Sequence, residues 1–146
     1  MRTSSLGLVA SMFVDELTVN ANRTKLRFFH ASPGTPAVDV GLGAAHGFVR
    51  VFANVSFGET APSNGTSLSN NGFVETTPVT SAVSARLAGA LTDALTIPSV
   101  TLAPNSVATA IAIGGKTGTH SNPLQVLLCG DTAPANGLLS ACTVAN

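Results

Sequence analysis

Apolar and polar residues alternate along several short stretches of this chain, which is the pattern of β-strands with one buried face. The alternation is clear over Val79–Leu87 and residues 26–30, whereas residues 107–113 are apolar almost throughout, as in a central strand covered on both faces. Further strands are predicted at residues 37–42, 48–53, 100–102 and 124–128, and residues 91–97 fit either a strand or a helical turn. Turn-forming residues separate these stretches, so the sequence predicts an all-β fold, an antiparallel β-sandwich.

The other strands are organised around a corner at residues 26–40. It begins with a strand that ends at His30, turns over residues 32–36 and continues in a second strand from Ala37. Pro33 and Pro36 each fix φ and lack an N–H donor. The connection is therefore predicted to be a stiff, defined turn.

The same corner resembles the signature of a known family. Residues 30–33 (His-Ala-Ser-Pro) and 36–40 (Pro-Ala-Val-Asp-Val) match the H-A-S-P-D-A-P-A-V-D-V pattern of domain-of-unknown-function family 4397, and the Gly-Thr pair between them departs from it. Residues 52–58 and 95–104 are similar to later motifs of those bacterial cell-surface domains. The resemblance implies an exported, often tandemly repeated, immunoglobulin-like β-sandwich of about seven to nine strands with no established activity.

Composition changes this picture by pointing outside the cytosol. The chain has 146 residues, enough for one domain, and only 10% of them are charged, against about 25% in an average soluble domain. An uncharged polar surface is common on secreted and surface-assembled β-proteins, so the predicted location is secreted or at the cell surface, extracellular or periplasmic. The net charge is zero and no basic run is present, which excludes an electrostatic footprint for nucleic acid.

Two cysteines, Cys129 and Cys142, lie near the end of an otherwise cysteine-free chain. Their spacing predicts one disulfide that closes a small loop in an oxidising compartment, and the alternative is two unrelated buried thiols. No apolar run is long enough for a transmembrane segment. Residues 6–14 have the length of a signal-peptide core, but Asp15 and Glu16 follow directly, so we expect an export signal upstream.

Residues 5–14 alternate as well, with Leu6, Leu8, Met12 and Val14 on one apolar face. Residues 1–25 are therefore predicted to be an N-terminal strand and linker, and residues 26–146 a β-sandwich domain with a C-terminal disulfide loop. The resemblance implies that residues 1–25 end a preceding repeat.

The alternative is an ordinary strand that pairs within its own sheet. A third arrangement has the strand donated to an exposed sheet edge of a neighbouring molecule. Residues 16–25 fit an extended, solvated tether, which favours pairing with another molecule.

Three residues of the corner invite a catalytic interpretation, namely His30, Ser32 and Asp39. A triad needs the base within hydrogen-bond reach of the nucleophile and a third group that orients the base, and no nucleophile elbow is present. The structural interpretation is preferred: with Pro33 and Pro36 these residues shape the corner, and His30 bonds a turn carbonyl or the Asp39 carboxylate. No catalytic residue is predicted.

The sequence does not group residues that would hold a metal ion or a cofactor. His30, His46 and His120 are far apart in sequence and the acidic residues are scattered singly, so no metal or cofactor is predicted. Residues 54–72 are rich in turn-forming residues and make a long candidate binding loop. Its candidate contact residues are Asn54, Asn64, Asn70 and Asn71.

These observations predict a non-enzymatic, exported structural or adhesive module of a surface protein or extracellular assembly, and the resemblance implies that this protein is bacterial. Its expected partners are proteins or further copies of itself, through the N-terminal strand. The alternative is a ligand-binding module that uses the 54–72 loop for a glycan, a peptide or a cell-wall component. A third hypothesis is a hydrolase built on His30, Asp39 and a serine.

Overall fold

The computed structural model describes Met12 and residues 15–60, 72–115, 123–131 and 142–145. Within these ranges the chain forms nine strands and one short 3-10 turn at Ala45–Gly47. The strands are β1 (Thr24–His30), β2 (Val38–Leu42), β3 (Val49–Val55), β4 (Phe73–Thr76), β5 (Val79–Leu87), β6 (Leu95–Leu102), β7 (Ser106–Ile113), β8 (Gln125–Gly130) and β9 (Cys142–Ala145). The predicted all-β fold is confirmed.

The strands form two sheets that pack face to face. One sheet has five strands in the order β4-β1-β7-β8-β9, and the other has four in the order β3-β2-β5-β6. All strand pairs are antiparallel except β1 with β7, which is parallel. Because β1 and β2 belong to different sheets, the corner at residues 31–37 carries the chain from one layer of the sandwich to the other.

The core lies between the sheets and follows the period-two alternation of the strands. Leu26 and Phe28 of β1 face Val38 and Val40 of β2, and the Phe28 ring lies 6.2 Å from that of Phe52. Each large apolar side chain buried in this way stabilises the fold by roughly 1.5–3 kcal/mol. The apolar positions read from the sequence are therefore the positions that hold the two sheets together.

The strand boundaries depart from the sequence-based prediction in three places. Strand β6 is continuous, although Pro98 in its middle had divided the pattern into two pieces. Pro98 is tolerated because β6 is the last strand of its sheet. Strands β4 and β9 were not predicted, since each has only four residues and β9 is mostly exposed. Residues 124–128 were taken as the final strand, but β9 follows β8.

The structure refines the predicted tether, residues 16–25, at its two ends. Strand β1 already starts at Thr24, and the preceding residues are bound to the sheet. Asp15 lies 2.6 Å from the Arg27 guanidinium and Glu16 lies 3.2 Å from the Lys25 ammonium, and both cations are buried. The segment before β1 is exposed along most of its length, as a solvated tether would be, but Asp15 and Glu16 anchor its start to β1 of the same chain.

The predicted N-terminal strand lies almost wholly outside the described residues. The described residues do not include Leu6, Leu8 or Val14. Met12 is described, and it is 95% exposed. Pairing of residues 5–14 within the chain or with another molecule stays a prediction. No helix in the described ranges is long and apolar enough to cross a membrane.

The predicted disulfide is confirmed. Cys129 and Cys142 are bonded, and they are directly opposite each other on β8 and β9. The bond thus fastens the last strand of the five-stranded sheet to its neighbour. Short strands at a sheet edge have few contacts of their own, and a covalent link compensates for this.

Candidate functional site

His30 ends β1 and is fully buried at the corner between the sheets. Its Nδ1 accepts a hydrogen bond from the backbone N–H of Ser32 at 3.3 Å. A backbone N–H can only donate, so Nδ1 carries no proton and the proton of the neutral ring is on Nε2. Nε2 donates it to the carbonyl oxygen of Pro36 at 3.1 Å. Of the two partners predicted for His30, a turn carbonyl and the Asp39 carboxylate, the structure has the turn carbonyl.

Ser32 is also fully buried and ties the corner to the end of β7. Its hydroxyl donates to the carbonyl oxygen of Gly114 at 2.7 Å and lies 2.6 Å from the hydroxyl of Thr35. With its own proton committed to Gly114, the Ser32 oxygen accepts from Thr35. The hydroxyl is therefore occupied by bonds that fix the corner.

The turn itself explains why this sequence has a glycine between the two prolines. The N–H of Thr35 bonds the carbonyl oxygen of Ser32, and Gly34 has a φ of 75°. Proline at the second position and a positive φ at the third define a type II turn. Pro33 and Gly34 therefore set the geometry that brings the Pro36 carbonyl back to His30.

Asp39 lies on the other side of the four-stranded sheet from the core, because its neighbours Val38 and Val40 face inward. One carboxylate oxygen accepts from the backbone N–H of Asn54 at 2.7 Å. The other accepts from Arg50 at 3.3 Å and from the N–H of Gly89 at 3.4 Å. His30 faces the interior of the corner, so the structure does not bring these two residues together as a catalytic pair.

Asp39 instead fixes two backbone positions with positive φ, one at an irregularity within β3 and one in a turn. Asn54 has a φ of 51°, in the left-handed region, where the register between β2 and β3 shifts. Gly89, in the turn between β5 and β6, has a φ of 79°. A buried carboxylate that accepts both N–H groups satisfies donors that the strand irregularity and the turn remove from the sheet ladder.

A second polar cluster on the same face was missed by sequence reasoning. Arg86 donates from Nε to Asp93 at 2.6 Å and from Nη2 to the carbonyl oxygen of Ala45, and its guanidinium lies 4.0 Å from the centre of the Phe48 ring. Asp93 accepts in turn from the N–H of Ala45 at 2.8 Å. The only sequence signal was an arginine within an apolar-alternating strand.

This cluster holds the 3-10 turn at Ala45–Gly47 against the sheet. The N–H of Ala45 and, next, Arg86 hold the pKa of Asp93 below its ordinary value. The Phe48 ring lies close over Gly41, where an added Cβ would be 2.8 Å from a ring carbon. Glycine at this position leaves the space that the ring needs.

Asp39 and Arg86 border a cleft of about 330 Å³ on the outer face of the four-stranded sheet. It lies between β3 and the turn that joins β5 to β6. Its lining residues are Asp39, Phe48, Arg50, Arg86, Gly89, Ala90 and Leu91. Clefts of this size accommodate a small ligand or a few side chains of a larger one.

The remaining predicted site residues are spread apart or fall outside the described ranges. Asn54 is exposed on β3, but Asn64, Asn70 and Asn71 lie outside, so the candidate binding loop cannot be assembled from described contacts. His46 is exposed in the 3-10 turn and His120 also lies outside. Among the described residues no three histidine, cysteine or acidic side chains are grouped to hold a metal ion.

Fold and site together define an all-β sandwich with buried polar bonds at an inter-sheet corner and an open cleft on one outer face. No family model matches the chain, and no curated protein or solved structure matches it. The resemblance to domain-of-unknown-function family 4397 therefore stays a prediction.

Proposed function

We propose that the protein is a non-enzymatic, exported structural or adhesive module of a bacterial surface protein or extracellular assembly. The observation that carries this proposal is that both ring nitrogens of His30 are hydrogen-bonded within the corner. One ring nitrogen accepts from Ser32 and the other donates to Pro36, so neither can take a proton from a nucleophile without breaking a bond of the corner. The hydroxyl proton of Ser32 is likewise donated to the carbonyl oxygen of Gly114.

Two further features support export. The disulfide between Cys129 and Cys142 is of a kind that persists in oxidising compartments, and the low charged fraction suits an extracellular surface. In this proposal the N-terminal strand is the route to self-association. The exposed side chain of Met12 supports it, since an apolar side chain in water gains from burial against a neighbour.

The experiment that tests self-association compares the full chain with a chain that lacks residues 1–14. The shorter chain keeps Asp15 and Glu16, so the ion pairs to β1 are retained. Light scattering after size-exclusion chromatography should show concentration-dependent association of the full chain and a folded monomer for the shorter one. Two monomers of equal melting temperature would contradict the proposal.

A pair of single substitutions makes this test specific to one face of the predicted strand. Leu8→Ser alters the apolar face and should weaken association, whereas Val9→Ser alters the opposite face and should leave it unchanged. Equal effects of the two substitutions would show that the predicted alternation does not govern assembly.

The non-enzymatic part is tested with a fluorophosphonate probe, which reacts with activated serines. We expect no labelling of Ser32 in the folded protein, because its hydroxyl lacks an available base. Stoichiometric labelling of Ser32, located by mass spectrometry, would restore the hydrolase hypothesis.

A further inference from the structure

The two arginines that line the cleft on the four-stranded sheet are held very differently. The Arg86 side chain is 9% exposed and is bound by Asp93 and the Ala45 carbonyl. The Arg50 side chain is 57% exposed and, among the described residues, pairs with Asp39 through one nitrogen at 3.3 Å. A guanidinium offers several N–H donors in a planar fork, so Arg50 keeps donors that face the cleft and the solvent.

Asp39 does not depend on Arg50 for its position. Its carboxylate also accepts from the N–H groups of Asn54 and Gly89, which belong to the backbone and cannot move away. A ligand that bonds the free donors of Arg50 therefore leaves both oxygens of the buried carboxylate hydrogen-bonded. Each arginine has a carboxylate partner, but Arg86 is buried whereas Arg50 is exposed and keeps further N–H donors, so Arg50 is the cation of the lining that can bind an anion.

An apolar group completes the cleft. The side chain of Leu91, in the turn between β5 and β6, is 86% exposed, and Ala90 lies beside it in the lining. A leucine this exposed gains from contact with an aliphatic group of a partner. The cleft thus offers a guanidinium fork and an aliphatic surface within one space of about 330 Å³.

We propose that this cleft binds an acidic peptide segment, with a glutamate or aspartate carboxylate on Arg50 and a neighbouring aliphatic side chain on Leu91. Arginine binds carboxylates through paired N–H bonds, which gives both strength and orientation. A free inorganic anion would leave Leu91 in water. A sugar ring would need an open aromatic face, and the Phe48 ring is covered by Arg86 and packed over Gly41.

The site rests on the proposed function in one respect, which is that the peptide is bound and released unchanged. It is distinct from the 54–72 loop and does not require self-association. Failure of the cleft would leave the structural role in place. Cleavage of the peptide would overturn the non-enzymatic role and leave the cleft.

The probe is the capped dipeptide acetyl-Glu-Leu-amide, and its matched control is acetyl-Gln-Leu-amide, which has the same shape without the charge. Both are titrated into the full, oxidised chain while amide spectra are recorded by NMR. We expect saturable shifts at Gly89, Ala90, Leu91 and the Arg50 Nε–H group. The glutamine probe should bind about tenfold more weakly, since the charge-assisted bonds to Arg50 are lost.

Substitutions assign the two halves of the cleft. Arg50→Gln should reduce affinity for the glutamate probe about tenfold and abolish the preference over the glutamine probe. Leu91→Ser should reduce affinity for both probes equally, because it removes only the aliphatic contact. Arg23→Gln is the matched control, since Arg23 is a half-buried arginine before β1 on the other sheet, and it should change neither affinity.

Equal binding of the two probes, or an unchanged preference in Arg50→Gln, would show that the carboxylate is not read by Arg50. Acetate or glucuronate giving the same shifts at the same affinity would show a general anion or sugar site. Preserved amide dispersion in each variant confirms that the fold is intact, so loss of binding is assigned to the cleft.

Discussion

The imidazole of His30 donates a hydrogen bond to the carbonyl oxygen of Pro36 across the corner that joins the two sheets, at a distance of 3.1 Å. The bond connects the end of β1 with the residue two positions before β2. The corner is therefore closed by its own side chain, and its conformation depends on a ring whose two nitrogens have fixed roles.

The first prediction concerns the protonation pattern of this ring. A long-range nitrogen–proton spectrum should show His30 as the tautomer with hydrogen on Nε2, because Nδ1 accepts from the Ser32 N–H. The substitution His30→Ala should lower the free energy of unfolding by roughly 1–3 kcal/mol, since it leaves buried donors and acceptors without partners. His46→Ala, at an exposed position in the 3-10 turn, is the control and should have no effect. Observation of the Nδ1–H tautomer would refute the assigned bonds.

The second prediction uses two aspartates whose pKa values are displaced in opposite directions. Burial, opposed by the Thr109 hydroxyl and Arg27, raises the pKa of Asp131 above its ordinary 3.8. A raised pKa in the folded state means that folding favours the protonated form, so this stabilisation is present below pH 3.8 and is lost as the pH rises through the raised value. Asp131→Asn should therefore stabilise the protein at neutral pH, and the gain should vanish in acid.

The pKa of Asp93 is displaced in the opposite direction. Bonds from the Ala45 N–H and then from Arg86 lower its pKa below 3.8, so its contribution is present above that pH and is lost as the pH falls through the lowered value. Asp93→Asn should destabilise the protein at neutral pH and have no effect in strong acid. Urea unfolding at several pH values measures the free energy of unfolding of both variants. Changes of the same sign in the two variants at neutral pH would contradict the assignment.

The third prediction tests the packing of Phe48 on the sheet. Gly41→Ala would place a Cβ 2.3 Å from the carbonyl oxygen of Val49 and 2.8 Å from the Phe48 ring, so we expect a loss of about 1–3 kcal/mol in unfolding free energy. Gly47→Ala meets no atom within 4 Å and should be neutral or slightly stabilising. Thermal unfolding compares the two, and equal melting temperatures would show that neither the Val49 carbonyl nor the Phe48 ring occupies this space.

The fourth prediction concerns the disulfide. Unreduced, denatured protein should have no thiol that reacts with a maleimide reagent, and reduction should expose both cysteines. Replacing Cys129 and Cys142 by alanine should lower the free energy of unfolding by about 3 kcal/mol, the value expected for a loop of about 15 residues. The same reagent applied to the producing cells tests export, since two free thiols inside the cell would place the protein in a reducing compartment.

Local pattern predicted a large share of the fold. Val79–Leu87 was predicted with the bounds that β5 has, because strict alternation at period two is an unambiguous local signal. The corner was also predicted, since proline and glycine specify a turn through their own backbone preferences. Strands β4 and β9 were missed because they are short and depend on pairing with β1 and β8, which local sequence does not reveal.

The candidate site was less accessible to such reasoning. Arg86, Asp93 and Ala45 come together only when the β2–β3 connection folds onto the turn after β5, so no short motif contains all three. The bonds from Asp15 and Glu16 to β1 were likewise missed, because charged residues in a linker are normally read as solvated. His30 and Asp39 both belong to the corner motif, yet His30 faces the interior of the corner and Asp39 lies on the outer face of the four-stranded sheet.

The parallel pairing of β1 with β7 determines when the protein can fold as it is synthesised. Thr24 lies beside Ser106, and these partners are separated by 82 residues. A nascent chain that ends at Leu102 already contains all four strands of the β3-β2-β5-β6 sheet, yet it lacks the central neighbour of β1. Pairing over such a distance is slow because the loop must be closed before any contact forms. We therefore expect the β3-β2-β5-β6 sheet to assemble early through its hairpins, whereas the five-stranded sheet can be completed only after β7 is synthesised.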